Sequence, residues 1–222
     1  MSDADSFIQE VSEEVRRDRL FGLWKRYAPL VIGVIVAVVA AAAFIAWRDA
    51  QDEAAAREAG AALIDAGEEP TAPARAERYL TEADALPEGA ALLARLRAAG
   101  ELAAAGEVAE ARGLYDAVAI DTATPPSLAA FAAYRAAMLT AAGGDAAGAV
   151  AQLSPLAGAE GSFRLLALEA RGALRLGLGD LAGAREDVEA VLADPAATEE
   201  TRGRAGLLAS AIRARDPQEA AQ

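Results

Sequence analysis

Twenty consecutive residues, Ala28 to Trp47, carry no charge: APLVIGVIVAVVAAAAFIAW. As a helix rising about 1.5 Å per residue they extend about 30 Å, the thickness of a bilayer hydrocarbon core. Ten of them are Leu, Ile, Val or Phe. At roughly −0.3 to −0.6 kcal/mol each near a helix centre, these favour insertion by roughly 3 to 6 kcal/mol. Trp24 and Tyr27 stand at one end and Trp47 at the other, where amphipathic rings prefer the headgroup level, and Arg26 and Arg48 close the stretch. The core helix of a soluble protein would carry a polar stripe, and none is present. A cleaved signal peptide has a short basic start and a shorter apolar core. Here 27 residues precede the run, six of them acidic. The alanines at 40–43 imitate a small-residue cleavage site, so processing is the alternative to the expected single uncleaved anchor.

Lys and Arg near the ends of a span set its orientation. Arg16, Arg17, Arg19, Lys25 and Arg26 precede it, and Arg48 and Arg57 follow. This bias predicts a cytoplasmic N-terminus and places residues 48–222 across the membrane. In a bacterium with two membranes that compartment is the periplasm. Three segments follow: a cytoplasmic stub at 1–27, a transmembrane helix at 28–47 and a large domain at 48–222. The stub reads as a helix over residues 6–27. Ser6 and Gln9 form a capping box, and Phe7, Val11 and Val15 share one face beside Ile8. It serves as a topology signal lying along the anionic inner leaflet, or as a handle for a cytoplasmic or intramembrane partner.

The large domain has length enough for a substantial core. The chain contains no His and no Cys, which removes imidazole acid–base chemistry, thiol nucleophiles and disulfides, along with the usual zinc, haem, copper and iron–sulfur ligands. Carboxylate chemistry is what remains, and no paired-carboxylate motif or Gly-rich phosphate loop accompanies it. No catalytic, cofactor-binding or metal-binding residue, and no small-molecule substrate, is therefore expected. The chain's net charge is −13, and six acidic against five basic side chains in residues 1–27 leave −12 for the rest. Such a domain repels nucleic acid and anionic lipid.

Three segments of the domain align without gaps: Gly106-Glu107-Val108-Ala109-Glu110-Ala111, Gly144-Asp145-Ala146-Ala147-Gly148-Ala149 and Gly179-Asp180-Leu181-Ala182-Gly183-Ala184. Gly is expected to end one helix in the left-handed conformation, and Asp or Glu to open the next at its positive end. Small residues recur seven before each glycine (Ala99, Ala137, Gly172) and five after it (Ala111, Ala149, Ala184). Large apolar ones recur nine after (Tyr115, Leu153, Val188) and twelve after (Val118, Leu156, Val191), with Pro125 and Pro195 near the ends of second helices. Small at the close contact and large beside it is the packing of a repeated helical hairpin. A looser unit runs from Asp52 to Pro87, turning at Gly67, with Ala76 and Leu80 in its second helix. Thr198 to Arg213 reads as a capping helix with Leu207, Leu208 and Ile212 on one face.

The pattern resembles the tetratricopeptide repeat, although the usual first-helix Trp and Tyr are absent. The fold class read here is all-α: an N-terminal cytoplasmic helix, one transmembrane helix and a tetratricopeptide-repeat-like α-solenoid. By that register the first helices present Leu93, Leu96, Phe131, Tyr134, Met138, Leu166, Glu169 and Leu176 to a candidate partner groove. Two arrangements fit: an open groove for a partner's helix or extended segment, or a groove closed by the capping helix, with these residues as core. Those positions hold no Lys or Arg, which disfavours gripping a C-terminal carboxylate.

The order FIQEVSEEVRRDRLFGLWKRYAP, one apolar span, then Ala-rich helical repeats is similar to the YfgM-type ancillary subunits of the SecYEG translocon. So is LEARGALRLGLGDLAGAREDVEAVL, residues 168–192, to that family's last repeat. The resemblance implies a cytoplasmic N-terminus, a periplasmic repeat domain in the bacterial inner membrane, and no catalytic residues. It also implies a role linking emerging proteins to periplasmic chaperones, including a membrane-anchored prolyl-isomerase-like partner. The function expected is that of a membrane-anchored adaptor between translocon subunits and those partners. The alternative is an assembly or scaffolding factor for a respiratory, cytochrome or cell-division complex.

Overall fold

A computed structural model describes residues 3–158 and 160–216, with side chains for Lys25 and from Tyr27 onward. Among the described residues there are nine α-helices and no strand. They are α1 (Asp3–Gly67), α2 (Ala72–Ala83), α3 (Glu88–Ala105), α4 (Val108–Ile120), α5 (Pro126–Ala142), α6 (Ala146–Gly158), α7 (Arg164–Leu178), α8 (Leu181–Ala193) and α9 (Glu199–Arg215). The chain divides into two compact units, Met1–Arg57 and Glu58–Gln222.

The first unit is helical throughout its described residues, as part of α1. The helix is already formed at Asp3, upstream of Ser6. The capping box and the Phe7, Val11 and Val15 face lie outside the residues whose side chains are described. Between Leu30 and Trp47 the large apolar side chains, among them Ile32, Ile35, Val38 and Phe44, are all exposed. One helix among the described residues is thus long and apolar enough to cross a membrane. Pro29 sits inside it. Proline removes one hydrogen bond to the carbonyl four residues back, here that of Lys25. Past the span, Arg48 pairs with Asp52 and Arg57 with Glu53 along the helix surface.

The second unit is a series of hairpins. The end of α1 pairs with α2, then α3 with α4, α5 with α6, and α7 with α8, and α9 packs on α8 and α7. Gly106, Gly144 and Gly179 lie at φ 86°, 94° and 84°, as the turn reading requires. Each closes its helix with two bonds. The Gly106 N–H donates to the Ala103 carbonyl and the Glu107 N–H to that of Leu102, and Gly144–Asp145 and Gly179–Asp180 repeat the pair. This satisfies carbonyls that a helix end would otherwise leave unpaired. The next helix then opens on an aspartate. Asp145 Oδ1 accepts from the Gly148 N–H at 2.8 Å, and Asp180 Oδ1 from the Gly183 N–H at 2.9 Å. Glu107, at the same position of the earlier hairpin, makes no such bond.

These turns carry a paired prediction. Gly179→Ala will destabilise the domain by about 1–2 kcal/mol, because L residues resist the left-handed conformation. Gly177→Ala, two residues away inside α7 with open space around it, will stabilise by up to about 1 kcal/mol through helix propensity. Urea unfolding of the two variants will move in opposite directions. Movement in the same direction would contradict the assigned turn.

The core follows the repeat. Ala99, Ala137, Ala111, Ala149 and Ala184 lose all solvent exposure. Tyr115, Leu153, Val188, Val118 and Val191 fill the space beside them, and Leu156 is half-buried. Gly172 marks a close approach of α7 and α8, where a Cβ would come 3.2 Å from Cβ of Asp187. The looser repeat that precedes the three aligned ones is also a hairpin: Ala76 is buried, Leu80 is half-buried, and Tyr79 packs beside Ala66. In α9 the buried stripe is Ala205, Leu208, Ala209 and Ile212. Leu207 falls off that stripe and is 74 % exposed, which corrects its assignment to the capping face. At about 100° per residue it points well away from Ala205 and Ala209.

Candidate functional site

Three of the five aromatic residues after position 47 stand on α5 or directly before α7. Phe131 and Tyr134 lie one turn apart on α5, and Phe163 directly precedes α7. The Phe163 ring centroid is 6.0 Å from that of Phe131 and 5.9 Å from that of Tyr134. Phe131 also meets Tyr115 of α4 edge-on, at 6.1 Å and 81°. Edge-to-face contacts at these separations stabilise beyond the area they bury. Phe131, Tyr134 and Phe163 are all half-buried. A hollow of about 360 Å³ opens beside Phe163, walled by Pro126, Ala130 and Leu156 and rimmed by Glu160 and Arg164.

Arg135 adds a cation. Its guanidinium lies 5.7 Å from the centre of the Tyr115 ring, an attraction to the negative ring face. Its Nε is buried without a hydrogen-bond partner. Burial, and secondly the charge of Glu169, hold the Tyr134 hydroxyl above the usual tyrosine value of 10.0, against opposing Arg135 and Arg204. The hydroxyl stays a neutral donor throughout the physiological range.

The remaining groove positions separate. Leu96 is buried in the cluster that Phe131 packs against, and Leu176 is buried under α9. Both act as packing. Met138 is half-buried. Leu93 and Leu166 are exposed, at 45 % and 39 %. Glu169 is taken by the capping helix: Arg204 of α9 binds it through Nε at 2.6 Å and Nη2 at 3.0 Å, and reaches Glu200 as well. Arg215 of α9 donates to the Leu176 carbonyl. The capping helix therefore occupies the α7 end of the face, while Phe131, Tyr134, Phe163 and Leu166 remain partly open to solvent.

Two features are not among the residues singled out by register. Phe163 precedes its helix, outside the repeat's aligned positions. The other is a buried charge. Asp187 of α8 is 1 % exposed. Both its oxygens receive bonds from Arg171, and Oδ2 also accepts from Arg175 Nη1 at 3.0 Å. Arg175 in turn donates to the Gly183 carbonyl. The signal was there: Asp187 sits three residues after Ala184 and four before Val191, inside the buried stripe, facing two arginines one turn apart.

The family described as Tetratricopeptide repeat-like domain matches residues 22–207. The chain belongs to that family. The matched residues take in the apolar span, every hairpin and the first half of α9. No curated protein and no solved structure shows a match. Tetratricopeptide repeat-like domains are typically protein-interaction modules, and the described residues share their all-helical architecture. The half-open rings on α5 and before α7 suit this use, since aromatic side chains that are partly wet and held by neighbours are the usual anchors of protein interfaces.

Proposed function

We propose that this protein is a membrane-anchored adaptor. Residues 28–47 span the bacterial inner membrane, the stub at 1–27 lies in the cytoplasm, and residues 48–222 form a periplasmic protein-binding domain. The membrane complex it attends is the SecYEG translocon, and its other partners are periplasmic chaperones or emerging proteins. The observation that carries this reading is the extent of the family match: it begins at residue 22 and covers an exposed apolar helix together with the repeats. Similarity of residues 7–29 and 168–192 to the YfgM type supports the choice of complex.

Anchoring changes what the binding face must achieve. A short tether raises effective concentration to about millimolar, so weak contacts at Phe131, Tyr134, Phe163 and Leu166 suffice. Crosslinking from a photoreactive residue at Leu166, in intact membranes, tests the reading. Translocon subunits and a periplasmic chaperone are the expected products. Exclusive recovery of one respiratory, cytochrome or division complex would replace this reading with that of an assembly factor. Tyr134→Ser, with the photoreactive residue kept at position 166, will lower the crosslinking yield by a factor of about 30, the loss of a hot spot of about 2 kcal/mol. The variant's helical circular dichroism and melting curve check that it stays folded. Reporters fused after Asp5 and after Gln222 test the sidedness.

A further inference from the structure

A second groove lies away from the aromatic face, between α2 and the start of α4. It encloses about 510 Å³. Its floor is apolar, made by Ala76 and Leu80 of α2 and Leu102 of α3. Its rim is acidic, made by Glu77 of α2, Asp84 just past its end, Glu107 of the Gly106 turn and Glu110 of α4. All four carboxylates are exposed. None forms an ion pair among the described residues, because the neighbouring arginines are engaged elsewhere: Arg75 with Glu101, Arg78 with Glu82, and Arg112 with Asp116.

We propose that this groove docks a basic amphipathic segment of a partner protein, an apolar side chain seated on Leu80 and Leu102 with Lys or Arg on either side. Charge complementarity selects the occupant. Four unpaired carboxylates around one apolar floor repel each other, and a segment with cations spaced about that floor relieves the repulsion while covering the leucines. A metal ion does not fit the arrangement, since among the described residues no three acidic side chains converge tightly enough to hold one. An acidic or phosphorylated segment would add to the repulsion.

The test uses the full chain in lipid nanodiscs and a fluorescent twelve-residue helical peptide with Leu on one face and Lys on the flanks. Anisotropy should show saturable binding that weakens at least tenfold from 0.05 to 0.5 M salt, as about a Debye length of screening predicts. Glu77→Gln with Glu110→Gln should weaken it at least tenfold at low salt. Glu186→Gln with Glu189→Gln removes the same charge from exposed positions on α8 and should change it less than twofold. Leu80→Ser should weaken it at low and high salt alike. Equal losses from the α8 pair and the groove pair would overturn the proposal, leaving only the attraction of an acidic domain for any cation. Binding that is insensitive to salt, or absent, would also overturn it. Tyr134→Ser with Leu166→Ser leaves this binding intact if the two surfaces are separate. Loss of peptide binding in that variant would place the peptide on the aromatic face and overturn the assignment.

Discussion

Asp187→Ala will lower the unfolding free energy of the repeat domain by about 3–5 kcal/mol, the range for breaking a buried charge network from one side. The carboxylate is almost wholly buried and holds two guanidinium groups, whose side chains keep only 14 % and 20 % of their exposure. Without it, Arg171 and Arg175 would face each other across one helical turn with no anion between them. Like charges at that spacing repel, and Arg171 loses its acceptor, while Arg175 keeps only the Gly183 carbonyl and the more exposed Asp180. The backbone offers no relief, because Gly172 already lies against Cβ of Asp187. In a domain of this size the melting temperature falls by about 2–4 °C per kcal/mol, so a drop on the order of 10 °C is expected by circular dichroism. Asp187→Leu combined with Arg171→Met and Arg175→Leu should recover most of that loss, since apolar replacement of a whole buried network is close to neutral. A loss below about 1 kcal/mol for Asp187→Ala would mean that water reaches the network and screens it.

Val34→Lys with Val38→Lys will release the protein from the membrane. The two positions share one face of α1 and are exposed. Each exchange replaces roughly −0.3 to −0.6 kcal/mol by about +2.5 to +3.5 kcal/mol. Together they outweigh the roughly 3 to 6 kcal/mol by which the span's ten large apolar residues favour insertion. After carbonate washing of vesicles, the natural sequence and a Val34→Leu, Val38→Leu control should sediment, and the double-lysine variant should stay in the supernatant. If the double-lysine variant sediments with the control, lipid is not the solvent of this helix, and the anchored reading of the whole protein falls.

Much of this architecture is legible in the order of residues. The apolar span, the left-handed glycines at 106, 144 and 179, the small residues at the hairpin contacts and the large ones beside them all obey rules that act within one or two helical turns. A glycine ends a helix by its own φ, and an alanine admits a close neighbour by its own size. Aspartate capping follows the same logic: Asp145 and Asp180 reach an amide three residues on. Such features recur wherever the local pattern recurs, so alignment of the chain with itself exposes them.

The candidate binding face was legible only in part. Register brought Phe131 and Tyr134 to one surface, but Phe163 joins them across more than one helix, and Leu96 and Leu176 turn inward. Glu169 looked available until Arg204, 35 residues later, took it. Leu207 looked like core until α9 settled on Ala205 and Ile212. Each of these depends on how far a helix is rotated about its axis when it docks, and that rotation is set by the volumes of residues distant in the chain. The ion network shows the same limit, since Arg171 and Asp187 stand sixteen residues apart. Short-range stereochemistry thus placed the turns and the span from the residue order alone. Which side chains meet, and which stay wet, was set by packing between helices, where small errors of angle move a side chain from core to solvent.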